Sequence, residues 1–171
     1  ADAIKVTIDG AVEVSDSASF NAALDLAGPG TEIRVAEGNY ELALENYFFT
    51  DAVRIIGTGD RDKTILTKAK GVTGRFFYLG NVDAAVCNLT MKNGDSQCPG
   101  GGIWIAGDGG MVSNCVVQSC KTGASQGAGG VLMESAQALL THSLVKDNTS
   151  GSTNGKGGGI LLNYGTVANC L

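Results

Sequence analysis

Apolar side chains in this chain recur at every second position in short bursts, and each burst is closed by Gly, Asn or Asp. Glu32-Ile33-Arg34-Val35 is closed by Glu37-Gly38-Asn39, and Val53-Arg54-Ile55-Ile56 by Gly57-Thr58-Gly59. A period of two bounded by turn residues predicts short β-strands. Downstream the bursts become regular. Gly101-Gly102-Ile103, Gly129-Gly130-Val131 and Gly158-Gly159-Ile160 open successive strands, 28 and 29 residues apart from Gly102 to Gly130 to Gly159. A trailing segment follows each: Val112-Ser113-Asn114-Cys115, Leu140-Thr141-His142-Ser143 and Val167-Ala168-Asn169-Cys170. Val86-Cys87-Asn88-Leu89 is an earlier copy, 26 residues before Asn114, and Arg75-Phe76-Phe77-Tyr78 stands where its leading strand belongs. Two landmarks keeping one period predict a solenoid. Helical repeats conflict with the period of two, and leucine-rich repeats lack their Leu-x-x-Leu-x-Leu pattern here. A parallel β-helix, with three short strands per coil, accounts for the repeat length.

Strand alternation assigns faces. Ile103, Val131 and Ile160 are expected to stack inward, as are Ile105, Met133 and Leu162. Phe77, Trp104, Leu132 and Leu161 are expected to form an outward apolar column with neighbours about 4.8 Å apart. Such a column is either covered by other sequence or is a face that stacks sugar rings or docks a partner. Asn88, Asn114, His142 and Asn169 share one turn position and predict an internal asparagine ladder, with His142 as a substitute rung. Leu89, Cys115, Ser143 and Cys170 form a further inward column, in which Cys115 and Cys170 are free thiols too far apart to bridge. Cys98 and Cys120 sit in turns of adjacent coils, where a disulfide is open to them, although five cysteines give no framework pattern.

The segment from Ser19 to Tyr40, Ser19-Phe20-Asn21-Ala22-Ala23-Leu24-Asp25-Leu26-Ala27 through Gly38-Asn39-Tyr40, resembles the opening of right-handed parallel β-helix proteins of the pectin-lyase-like superfamily. The Gly-Gly-Ile and Asn-Cys repeats are similar to those of secreted bacterial Gly-rich repeat proteins and adhesin passengers. The resemblance implies a short capping helix near Ser19–Ala27, then a first strand leading into the Gly38-Asn39-Tyr40 turn. It also implies that the face bearing the outward column is the one that lines the substrate cleft in the enzymes of that superfamily. The whole chain is expected to be one domain, with N-terminal strands and cap over 1–31 and five to six coils over 32–171. The last coil is expected to be incomplete, so that the chain is a fragment or a second copy closes the open end.

Composition narrows the function. The 171 residues carry a net charge of −5, and only 17% are charged. Arg61, Lys63, Lys68, Lys70 and Arg75 cluster, but Asp60 and Asp62 interrupt them, so no basic stripe for nucleic acid is expected. No apolar run reaches membrane-spanning length. The start Ala1-Asp2-Ala3 fits a removed secretion signal. The residues from 101 onward hold only six Lys, Arg, Asp and Glu side chains: Asp108, Lys121, Glu134, Lys146, Asp147 and Lys156. Asp83 and Asp95 join these scattered carboxylates, which share no register on the outward strand and do not provide the paired acids of a glycoside hydrolase. No Cys/His spacing suits zinc, and no cofactor motif is present. Asn88-Leu89-Thr90 and Asn148-Thr149-Ser150 are formal glycosylation sequons.

The expected function is a secreted or surface-attached, non-catalytic module binding polysaccharide or a cell-surface glycan through the outward column. The alternative is the N-terminal part of a polysaccharide lyase or glycoside hydrolase whose catalytic residues lie outside the chain. A structural spacer is a third reading if the column is covered.

Overall fold

The computed structural model describes residues 5–6, 10–125, 127–151 and 154–171; Ala1-Asp2-Ala3 lies outside them. The chain winds into a parallel β-solenoid of about 5 turns, with one short helix among the described residues. Each coil contributes strands to three faces. The first face stacks Val12–Val14, Glu32–Val35, Arg54–Gly57, Ala85–Cys87 and Gly110–Ser113. The second stacks Gly38–Leu42, Thr64–Lys68, Thr90–Lys92, Val116–Gln118 and Leu144–Lys146. The third stacks Tyr47–Phe49, Phe77–Leu79 and Ile103–Ile105. In the last coils, Val131–Thr141 and Ile160–Ala168 run from the third face round to the first, joining both into one sheet. A small sheet of Asp95–Ser96, Lys121–Thr122 and Thr149–Ser150 lies between the second and third faces along the chain.

The core is a set of columns, one residue per coil. Ile33, Ile55, Val86, Val112 and Leu140 stack inside the first face, and Tyr40, Leu66, Met91 and Val117 inside the second. All nine are fully buried. Inside the third face, Ile103, Val131 and Ile160 stack as the repeat predicts, beside Ile105, Met133 and Leu162. Leu162, in the last coil, is 47% exposed. Leu89, Cys115 and Ser143 are buried as expected, and Cys170 is partly buried; the Cys115 amide donates to Ser143 Oγ at 3.1 Å. Burial pushes the Cys115 thiol up to about 12, which leaves it a small hydrophobe rather than a nucleophile.

The helix spans Ser17–Asp25 and begins with a capping box. Asp16 Oδ1 accepts from the Ser19 amide at 2.7 Å, and Ser19 Oγ accepts from the Asp16 amide at 3.4 Å. Phe20, Ala23 and Leu24 close the N-terminal end of the core. Gly38-Asn39-Tyr40 is not the expected turn but the start of the strand Gly38–Leu42, and its tyrosine ring meets Phe20 edge-on at 5.4 Å.

The Gly-Gly repeat has a steric origin. A methyl on Gly101 would collide with the carbonyls of Gly129 and Lys121, and one on Gly129 with the Gly158 carbonyl and the Thr149 backbone. At Gly101 and Gly129 the small sheet and the next coil's glycine are packed backbone to backbone, leaving no room for a Cβ; at Gly158 and Gly159 in the last coil the nearest atoms would stand 3.1 and 3.5 Å away.

Asn88, Asn114, His142 and Asn169 all hold left-handed backbone, with φ of 58°, 51°, 50° and 54°. The ladder is at the outer corner between the first two faces, not internal as expected, because this backbone turns the side chains outward; Asn114, His142 and Asn169 are exposed. Asn114 Nδ2 donates to Asn88 Oδ1 and Asn88 Nδ2 to the Gly57 and Gly59 carbonyls, all at 2.7 Å. Asn169 Nδ2 lies 3.3 Å from His142 Nε2. Arg61 spans the gap between the two pairs, its Nη1 donating to Asn114 Oδ1 at 3.0 Å and to the His142 carbonyl at 3.2 Å. A second left-handed series, Asn93, Ser119 and Asp147, turns the next corner five residues after Asn88, Asn114 and His142.

Candidate functional site

The outward side of the third face carries the site. Register pairs Phe48 with Tyr78, Tyr78 with Trp104, Trp104 with Leu132, and Leu132 with Leu161. This corrects the expected column at one rung. Phe77 pairs with Ile103, is fully buried and points inward, so Tyr78 takes the outward place. The cause is visible in the coil: Arg75 and Phe76 occupy the positions of Gly101 and Gly102, so the glycine landmark is absent there. The 26-residue step from Asn88 to Asn114 also separates Phe77 from Ile103 and would have set the register. A slip of one residue inverts every side chain. Phe48 was not identified from sequence, although it is the middle of the aromatic triplet Tyr47-Phe48-Phe49.

The column is graded in exposure. Phe48 is 59% exposed, Tyr78 and Trp104 are partly exposed, Leu132 is 1% exposed, and Leu161 is partly buried. Adjacent ring centroids lie 5.1 Å apart, Phe48 to Tyr78 tilted by 32° and Tyr78 to Trp104 edge-on at 82°. The accessible column is therefore the aromatic half, Phe48, Tyr78 and Trp104; Leu132 is covered, which corrects its expected place on the binding face.

Arg75 fixes the aromatic half from below. It is 2% exposed, and its guanidinium lies 4.9 Å from the Trp104 ring centroid and 5.9 Å from that of Phe48. Nε donates to Asn46 Oδ1 at 2.8 Å and Nη1 to the Pro99 carbonyl at 2.7 Å. Burial pulls this guanidinium below its ordinary range, and the Cys98 thiol beside it acts in the opposite sense. At the other edge, Trp104 Nε1 donates to Glu134 Oε2 at 2.9 Å, while Glu134 Oε1 accepts from Asn163 Nδ2 at 3.1 Å. Rings with a polar rim of Asn46, Glu134 and Asn163 can stack a pyranose and hydrogen-bond its hydroxyls. Glu134 is the one carboxylate bonded to this platform among the described residues.

Lys68 staples the loop that leads into Phe48. Its Nζ donates to the Leu44 carbonyl at 2.8 Å and the Glu45 carbonyl at 3.1 Å, and sits 5.0 Å from the Phe76 ring centroid. Burial pulls its ammonium from the ordinary 10.5 down to about 7; the Glu45 carboxylate opposes this and Arg75 adds to it. Between these values the unfolded chain holds a proton that the folded chain releases, so stability rises as pH rises above 7. The buried Cys115 and Cys120 thiols act oppositely above pH 9, since burial lifts both from 9.0 to about 12. Thermal melts between pH 7 and 9 should therefore show the parent gaining stability relative to Lys68→Met as pH rises from 7 towards 9. A difference independent of pH would mean that Lys68 is not desolvated.

The proposed Cys98–Cys120 pairing is not formed. Cys98 is exposed and Cys120 is buried, and both are free thiols. Cys120 points into the core, where its Sγ accepts from the Gly94 amide at 3.4 Å and approaches the Gln118 carbonyl at 3.4 Å. Cys98 lies on the outer loop beside Arg75 instead. Among the described residues no group of three or more His, Cys, Asp or Glu side chains is placed to hold a metal ion, and no helix is long and apolar enough to cross a membrane. No family model matches the chain, and neither a curated protein nor a solved structure matches it.

Proposed function

We propose that the third face is a non-catalytic binding platform for neutral polysaccharide, on a secreted or surface-attached protein related to the pectin-lyase-like β-helices. One observation carries the reading: Phe48, Tyr78 and Trp104 stand in register on an outward face, held by Arg75 and rimmed by Asn46, Glu134 and Asn163. Exposed rings are expensive to keep in water and suit the apolar faces of sugars. Hydrolysis would need a second carboxylate facing Glu134 across the platform. Glu134 is instead occupied in orienting Trp104 and Asn163.

Trp104 is the single tryptophan of the chain, so its emission reports this face alone. Titration with neutral β-glucan or xylan oligosaccharides should shift that emission saturably. Phe48→Ala should weaken the apparent affinity by about three- to tenfold, the worth of one ring contact. Emission unmoved by every oligosaccharide, or an unchanged affinity in Phe48→Ala, would remove the platform from sugar binding.

A further inference from the structure

The outer surface of the second face holds a separate trough of about 330 Å³. Two side-chain columns form its floor, two residues apart along each strand. One is Ile65, Thr90, Val116 and Leu144, in register across four coils. The other is Lys92, Gln118 and Lys146. Arg61 forms the opposite wall and is held there by its bonds to Asn114 and to the His142 carbonyl. Asp62 is the one acidic residue of the lining; it is 71% exposed and lies 3.9 Å from Arg61. No carboxylate pairs with Lys92 or Lys146 among the described residues. Asp147 follows Lys146 in the left-handed corner and does not line the trough. Three cations against one carboxylate is the reverse of the whole chain, whose net charge is −5.

We propose that this trough docks an extended acidic peptide segment with aliphatic side chains, on a face distinct from the ring platform. Charge complementarity selects an anionic occupant. The floor then selects among anions. No aromatic ring lines the trough, so sugars and nucleobases lack the stacking surface they use. An aliphatic column beside a cationic one fits a peptide strand, whose side chains alternate left and right. A strand lying along the solenoid axis between the two columns would send aliphatic side chains to Ile65 and Leu144, the partly exposed members of a column whose Thr90 and Val116 are buried. Its carboxylates would go to Lys92 and Lys146, which lie two coils or about 9.6 Å apart, and Gln118 between them can serve the peptide backbone.

The test uses the full chain labelled with ¹⁵N and a capped hexapeptide of alternating Glu and Leu. Titration should move the amides of Val116, Gln118 and Lys146, and added salt should weaken it. Lys92→Glu/Lys146→Glu should lower the affinity about tenfold, and the exposed Lys146→Glu alone about threefold, which keeps the test open if the double variant does not fold. Trp104→Ala should leave the peptide affinity unchanged. The proposal is overturned if the peptide moves no amide on this face. It is equally overturned if Lys146→Glu binds as the parent does, if a Lys-Leu hexapeptide binds equally well, or if a uronic-acid hexamer binds the trough more tightly than the peptide.

Discussion

Val131→Asp should abolish folding. Val131 is fully buried between Ile103 and Ile160 in a column that crosses the last three coils of the third face. Valine burial there contributes about 1.5–3 kcal/mol, and the substitution also places a carboxylate where no donor faces it. An unpaired buried charge costs several kcal/mol more, against a total stability on the order of 5–15 kcal/mol. The repeat amplifies the damage, because each coil rests only on its neighbours and the strand that carries Val131 joins two faces. Circular dichroism should show loss of β-structure or the protein should be insoluble. Val131→Ala, which only leaves a cavity, should lose about 2 kcal/mol and stay folded. A folded, soluble Val131→Asp would mean that the column is not the core.

The second large effect is expected at Arg75. This side chain is 2% exposed, fills the place that glycine pairs occupy in later coils, and supports both Phe48 and Trp104. Its guanidinium pays a desolvation penalty without a carboxylate partner among the described residues, which by itself favours removal. Arg75→Ala nevertheless removes the aliphatic stem, two ring contacts and the donors to Asn46 and Pro99, leaving a cavity lined by unsatisfied oxygens. Those losses outweigh the relief, and the net should be about 3 kcal/mol, or roughly 6–12 °C in Tm for a chain of this size. Arg75→Lys should recover little, because a single ammonium cannot reproduce the fork that reaches Asn46 and Pro99 together. A melting temperature within about 2 °C of the parent would show that the rings hold their positions without the arginine.

The particular residues explain what was legible in the sequence. Ile103, Val131, Ile160 and the column of Leu89, Cys115 and Ser143 were readable because a side chain's inward or outward sense is a local property, set by the pleat once a landmark fixes the register. The glycine pairs supplied that landmark wherever the small sheet crowds the backbone. One coil earlier Arg75 and Phe76 fill the same positions, the landmark is lost, and the repeat places Phe77 outward where the structure buries it. The Asn88–Asn169 ladder was legible as a turn position but not as an outer one, since left-handed backbone was implied and the direction of the side chain was not. Contacts that cross coils were out of reach: Arg61 meets Asn114, 53 residues away, and Trp104 meets Glu134, 30 residues away. No periodicity encodes such reach. Cys98 and Cys120 were near in coil number but stand on opposite sides of the coil wall, a distinction that spacing alone does not carry.

The central claim is that the third face binds polysaccharide through its rings. Retention on an array of immobilised neutral polysaccharides, measured for the parent and for Trp104→Ala with melting temperatures taken in parallel, tests it most directly. The parent should be retained on at least one surface. Trp104→Ala should lose that retention while melting within roughly 4 °C of the parent, the equivalent of about 1–2 kcal/mol. A parent that no polysaccharide retains, a variant retained as well as the parent, or a variant that loses binding only because it unfolds would contradict the account and return Trp104 to a purely packing role.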